Sequence, residues 1–298
     1  MTSIFGGSVA GRRVLITGAA RGIGAALARQ LFAHGAEVAL LGLEPELLGK
    51  VARECGDAPW RYCDVSDRAQ VDAGVEAVVG ELGGLDVVVA NAGVAKQLPL
   101  IGGDPVVMEQ TIAVNVLGVY YTVRAAGPHI SHSDGYALVV SSLAAAVHLP
   151  LLGAYSASKA GVEALGDTLR HELRHTGAKV GVAYFAELDT DMTSRGFGTE
   201  AARSLLGKAT VSGVAPLGPA IDAVERAIAR RRRRVVSPWW VTFVLPFRPI
   251  AQRVTDLGLR RGVADALRIA RTEATPFTTE QPTHTSRMDQ HPPDRTPE

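Results

Sequence analysis

Thr17-Gly18-Ala19-Ala20-Arg21-Gly22-Ile23-Gly24 decides how this chain is read. It follows an apolar run, Val14–Thr17, and opens a stretch with helical spacing, Ala25–His34, marked by Leu27, Ala28 and Leu31. Glycines between a strand and a helix let the backbone turn sharply and let a pyrophosphate approach it closely. The helix then aims free N–H groups and its positive end at that charge. A glycine-rich turn alone is weak evidence, but its place between the first strand and the first helix points to a nucleotide.

Outward from this loop, short apolar runs alternate with helix-like stretches. Glu37–Leu41, Trp60–Cys63, Leu85–Ala90, Ala137–Val140 and Lys179–Phe185 read as further strands. Most are apolar on both faces, which suits a parallel sheet covered by helices on each side. The expected fold is α/β, a doubly wound, Rossmann-like parallel sheet. It is expected as a single domain over residues 1–220 with a C-terminal extension, helical, basic and aromatic, over 221–271. A tail over 272–298, rich in Thr, Pro, His, Gln and Asp, cannot bury a core and reads as disordered. Hydrophobic residues make up 47% of the 298, enough for a well-buried sheet. Two cysteines, Cys55 and Cys63, match neither a disulfide framework nor a metal-ligand spacing, so no metal is expected. Reduced thiols and the absence of a leader pattern in Met1–Arg13 favour the cytoplasm. No run of about 18 uninterrupted apolar residues suggests a spanning helix.

Tyr155-Ser156-Ala157-Ser158-Lys159 opens the helical stretch Ala154–Arg174. Tyr155 and Lys159 share one helix face, one turn apart. An ammonium beside a phenol favours the phenolate and turns tyrosine into a usable proton shuttle. Thirteen residues upstream, Ser142 ends a strand, where ligands bind in such sheets; the adjacent Ser141 is the alternative. Asn115 lies in an apolar helical stretch, Thr111–Gly118, where a buried amide needs partners. Asn91-Ala92-Gly93 follows the fourth strand and Asp64-Val65 the third; a turn and a helix cap are their plain structural readings.

The glycine spacing, the Tyr-x-x-x-Lys pair, Ser142, Asn115 and Asn91-Ala92-Gly93 together resemble the short-chain dehydrogenase/reductase family, over about Gly11 to Met192. The resemblance implies an NAD(P)-dependent oxidoreductase interconverting an alcohol and a ketone or aldehyde. It implies a catalytic tetrad of Asn115, Ser142, Tyr155 and Lys159. Tyr155 would pass the proton and Ser142 would position the substrate oxygen. Lys159 would hold the nicotinamide ribose, and Asn115 would support a linking water. Cofactor-binding residues are expected at Gly18, Arg21, Gly22, Ile23, Gly24, Asp64, Val65, Asn91, Ala92, Gly93, Tyr155, Lys159 and Thr190. The carboxylate that would select NAD falls at Gly42, which cannot hold ribose hydroxyls. Arg21 can meet a 2′-phosphate with its guanidinium fork, so NADP(H) is favoured, while NAD(H) stays open because Glu44 lies nearby.

The chain departs from the family after the sixth strand, where Phe185-Ala186 replaces Pro-Gly and removes easy access to positive φ. The expected substrate walls are Leu143–Gly153 and the segment around Ser194–Ala215. Both are apolar, which favours an apolar small-molecule carbonyl or alcohol. His148 reads as structural or exposed. Five arginines, Arg230–Arg234, precede Trp239, Trp240, Phe243 and Phe247. This run reads as a peripheral membrane contact through 230–250, or as a subunit interface or lid. A homo-oligomer is expected and nucleic acid is not. A non-catalytic nucleotide-binding scaffold or sensor, and an epimerase or dehydratase on the same fold, are the competing functions.

Overall fold

The computed structural model describes residues 7–193, 199–206, 213–260, 262–273, 277–279 and 281. The elements are β1 (Arg13–Thr17), α1 (Gly22–Ala33), β2 (Glu37–Gly42), α2 (Pro45–Glu54), β3 (Trp60–Tyr62), α3 (Arg68–Leu82), β4 (Val87–Ala90) and α4 (Pro105–Ile112). There follow α5 (Gly118–Ile130), β5 (Tyr136–Val140), α6 (Gly153–Glu172), β6 (Lys179–Phe185), α7 (Glu200–Leu206) and α8 (Leu217–Arg230). β7 (Arg234–Ser237), α9 (Val241–Val244), α10 (Arg248–Leu259) and α11 (Val263–Ala270) complete them.

Seven strands form one sheet in the order β3-β2-β1-β4-β5-β6-β7, and every pairing is parallel. The strand interiors are apolar on both faces because helices cover both: Ile16, Leu40 and Val87 face one core, Leu15, Leu41 and Val88 the other. The order reverses between β1 and β4, and ligands bind at such a point, outside the carboxyl ends of the strands.

Several expectations are corrected. The sheet does not stop at residue 220. α8 packs on α1, and β7 pairs with β6, Val182 against Arg234 through Phe185 against Ser237. Residues 217–237 therefore belong to the sheet layers. β7 also separates the arginines from the aromatics. The carbonyl of Arg232 accepts from Tyr136 Oη, and Arg231 bonds the carbonyl of Ser133, at the amino edge of the sheet. Trp239 and Trp240 follow its carboxyl edge. A four-residue strand, about 13 Å long, lies between the two groups. The tail is not wholly loose either: Thr278 is buried and exchanges hydrogen bonds with the backbone of Ala95. The rest of 272–298 beyond residues 272–273, 277–279 and 281 lies outside the described residues. Helical residues Pro105–Ile130 are, by length and composition, long and apolar enough to cross a membrane. They pack as the helix layer between α3 and α6.

Candidate active site

The glycine loop is held open by its neighbours. Gly18 and Gly22 take positive φ, 64° and 54°. A Cβ at Gly18 would lie 2.8 Å from Ala92 Cα, and one at Gly24 would lie 2.3 Å from the Gly18 carbonyl oxygen. Only glycine fits these positions. Asn91 braces the loop, its Nδ2 donating to the carbonyls of Thr17 (2.9 Å) and Gly18 (3.3 Å). Thr17 Oγ1 in turn accepts from the N–H groups of Asn91 and Ala92. α1 starts at Gly22 without a side-chain cap, so its first N–H groups face the cleft. That opening fits a pyrophosphate.

Catalytic candidates converge from three places: the end of β5, α6 and the turn between α4 and α5. Ser142 follows β5, its Oγ donating to the Phe185 carbonyl (3.3 Å) and accepting from Ala144 N–H (3.1 Å). It also hydrogen-bonds the Tyr155 side chain. Ser141, by contrast, is buried and donates to the Lys159 carbonyl (2.8 Å), a structural bond. The geometry thus selects Ser142. Lys159 lies one turn along α6 from Tyr155, with Nζ donating to the Val140 carbonyl (2.9 Å) and 5.6 Å from the Tyr155 ring centre.

Asn115 sits behind them on a π turn, Ala113–Leu117, that joins α4 to α5. Such wide turns often accompany functional sites. Its amide is fully used: Oδ1 accepts from Val94 N–H (2.8 Å), and Nδ2 donates to the Val94 carbonyl and Ser158 Oγ (both 2.9 Å). The side chain ties the segment after β4 to α6 and so positions Gly93 against Lys159.

Gly18, Arg21, Gly22, Ile23, Asp64, Val65, Asn91, Ala92, Gly93, Ser142, Tyr155, Lys159 and Thr190 all line one cavity of about 580 Å³. Gly24 and Asn115 support it from behind. Asp64 is not the cap of α3; that role falls to Asp67, which accepts from Ala69 and Gln70. Asp64 instead accepts from the N–H and hydroxyl of Ser66 (2.9 and 2.7 Å). The loop after β6 keeps ordinary φ at Ala186, as a non-glycine residue there requires. It brings Thr190 opposite Gly22.

Burial dominates the titration of the central pair. It pushes the Tyr155 phenol up to about 12, with the Ser142 hydrogen bond acting against it. It brings the Lys159 ammonium down to about 8. The expected lowering of the phenol by the ammonium is therefore not seen here; Nζ is tied to the Val140 carbonyl instead. Between pH 8 and 10 folded Lys159 has released a proton that the unfolded chain still holds. The contribution of Lys159 to the stability of the protein without added nucleotide should therefore rise with pH across that window. Over the full shift from 10.5 to about 8 the change approaches about 3 kcal/mol. Denaturant unfolding of the wild type and of Lys159→Met at pH 7.5 to 10 checks this: the stability of the wild type minus that of the variant should rise with pH, since the buried thiols, whose raised values lower stability above about pH 9, are common to both.

From the first expected wall, Leu143, Ala144, Val147, Leu149 and Leu152 line the cavity. His148 is exposed and bonds the Ala144 carbonyl, a structural role. Of the second wall, 194–198 and 207–212 lie outside the described residues, and no described residue from 199 to 215 lines the cavity. Sequence reasoning missed three other groups that do. They are Glu187 after β6, Trp240, Val244, Ala251, Val254 and Thr255 of the α9–α10 region, and Thr278, Thr279 and Gln281 of the tail. Alternating apolar spacing in α10 was a usable signal; the tail offered none.

Comparison with known proteins agrees with this geometry. Residues 12–201 match the family model for short chain dehydrogenases. A hydroxysteroid 11-beta-dehydrogenase 1-like protein of Gallus gallus is 30% identical over 240 residues, covering 78% of this chain and 80% of that one. The crystal structure of a short chain dehydrogenase/reductase from Burkholderia phymatum in complex with NAD superposes with a TM-score of 0.73 at 24% identity, over 85% of this chain and 96% of the other. An alcohol dehydrogenase from Thermococcus sibiricus complexed with 5-hydroxy-NADP gives 0.67 at 27% identity, over 76% and 95%. The chain belongs to the short-chain dehydrogenase/reductase family. It is an oxidoreductase of that type.

Proposed function

We propose that this enzyme interconverts an alcohol and a ketone or aldehyde on an apolar small molecule, with Tyr155 as the acid and base. The observation that carries this is the Tyr155–Ser142 hydrogen bond beside Lys159, at the apolar end of a cavity that runs to the glycine loop. A nicotinamide dinucleotide held by the glycine loop, Asp64, Val65 and Asn91–Gly93 would supply or accept the hydride. In the reductive direction, Tyr155 gives its phenolic proton to the substrate oxygen as the carbonyl carbon gains hydride. Ser142 donates a hydrogen bond to that same oxygen, and Lys159, one turn along α6, would hold the nicotinamide ribose. Leu143, Val147, Leu149 and Leu152 favour an apolar substrate body. A panel of ketones and alcohols with each cofactor, followed at the nicotinamide absorbance, tests the reading. Absence of turnover across the panel would leave a nucleotide-binding scaffold in its place.

NADP(H) is the preferred cofactor in this reading. Arg21 stands at the cavity mouth, where Gly42 leaves no carboxylate at the end of β2. Its guanidinium pairs with Glu44 and, at 3.3 Å, with Asp191, so a 2′-phosphate would compete with these carboxylates. Arg21→Ala is expected to lower kcat/KM for NADPH about tenfold more than for NADH. Equal losses with both cofactors would remove the preference. Exposed Val106 on α4, Leu117 on the π turn and Tyr120 on α5 support a homo-oligomer. The two buried thiols, Cys63 pushed up to about 12 by burial, support a reducing, cytoplasmic setting.

A further inference from the structure

Helix α10 turns its apolar side away from the fold. None of its residues is buried. Trp239, Phe243, Phe247, Ile250, Val254 and Leu257 are 59–74% exposed. Ile250, Val254 and Leu257, four and three residues apart, share one face of α10, and the three aromatic residues lie on the turns that lead into it. Trp239 and Phe243 meet edge to face with ring centres 5.9 Å apart. Together the six expose on the order of 700 Å² of apolar side chain.

What holds α10 in place is polar and lies on its other side. Arg248 forks onto both oxygens of Glu163 on α6, at 3.2 and 2.8 Å. Gln252 exchanges two hydrogen bonds with the His148 backbone, at 2.7 and 3.0 Å. Arg253 and Arg260 are exposed and flank the stripe, about 60–80° around the helix from Ile250. Neither makes an ion pair among the described residues. The one acid on α10, Asp256, accepts from Gln252 (2.8 Å).

We propose that this face docks on an anionic phospholipid surface, with α9 and α10 lying in the interface plane. The aromatic rings sit at headgroup level, and Arg253 and Arg260 meet lipid phosphates. The arginine run Arg230–Arg234, which precedes and opens β7, takes no part, since it lies at the opposite edge of the sheet. The flanking charges favour lipid over a second copy: a two-fold pairing of the stripe on itself would gather four arginines along one seam against two aspartates. Val254 borders both the stripe and the cavity, so docking sets the cavity mouth at the membrane. Entry of an apolar substrate from the bilayer follows, and that consequence alone rests on the proposed function.

Co-sedimentation of the full chain with vesicles tests the docking, using phosphatidylcholine with and without phosphatidylglycerol at moderate salt. The wild type should pellet with the anionic vesicles and less with phosphatidylcholine alone. The triple variant Phe243→Ser, Phe247→Ser, Ile250→Ser, which spares the cavity lining, should bind at least about tenfold more weakly. It should keep its Tm and its turnover of a water-soluble substrate. Two results would overturn the proposal. One is no binding of the wild type to anionic vesicles. The other is a lipid-independent dimer in sedimentation velocity that the triple variant dissociates, which assigns the face to a second copy. Vesicle binding without turnover of any carbonyl would sink the enzymatic reading and leave the docking intact.

Discussion

Tyr155→Phe should lower turnover by about 10²–10⁴-fold while cofactor affinity stays close to that of the wild type. The ring is buried, and phenylalanine fills the same space, so the fold should survive. What is lost is the phenolic proton that the proposed reaction transfers, together with the bond to Ser142. Ser142 and Lys159 remain, and neither replaces the phenol: Ser142 faces the Phe185 carbonyl and Lys159 the Val140 carbonyl. Steady-state turnover and a nucleotide titration by fluorescence, run on the same preparation, separate the two effects. Near-normal turnover in the variant would remove Tyr155 from the chemistry.

Gly24→Ala should weaken nucleotide binding by about 10–100-fold and lower Tm. Its Cβ would lie 2.3 Å from the Gly18 oxygen and 2.9 Å from Asn91 Nδ2. Both are pinned, since Asn91 holds the Thr17 and Gly18 carbonyls, so the loop itself must move. Gly80→Ala makes the contrast. Gly80 lies within α3, and a Cβ there meets nothing within 4 Å. That change should stabilise the protein by about 0.5–1 kcal/mol and leave binding alone. Calorimetric titration and thermal unfolding of both variants check the pair. Equal behaviour would mean that the glycine loop is not held as described.

The catalytic half of the molecule was legible because its signals are local. The run Val14–Thr17 before a glycine cluster, and Tyr155 four residues from Lys159, each carry their geometry in their spacing. The π turn at Asn115 was not legible, since a wide turn leaves the apolar pattern of Val114, Val116 and Leu117 unchanged. Nor were the partners of Asn115, which come from the Val94 backbone and from Ser158. β7 was missed for another reason. Arg234-Val235-Val236-Ser237 is a four-residue edge strand between an arginine run and an aromatic cluster, too short to show a strand period of its own. The sheet's last strand was therefore assigned to an extension. Thr278 is tied to the Ala95 backbone through its own N–H and hydroxyl oxygen, a pairing that a Thr- and Pro-rich composition does not announce. The lowering of the phenol by Lys159 failed as an expectation because sequence gives the spacing of two groups and not how deeply both are buried.

Deuteride transfer addresses the central claim most directly. The enzyme would be given a ketone from the active panel and NADPH carrying deuterium at nicotinamide C4, and the alcohol formed would be read by mass spectrometry. This account expects one deuterium on the carbinol carbon, with formation of that alcohol nearly abolished in Tyr155→Phe. Alcohol that carries no deuterium from either face of the labelled ring would contradict it.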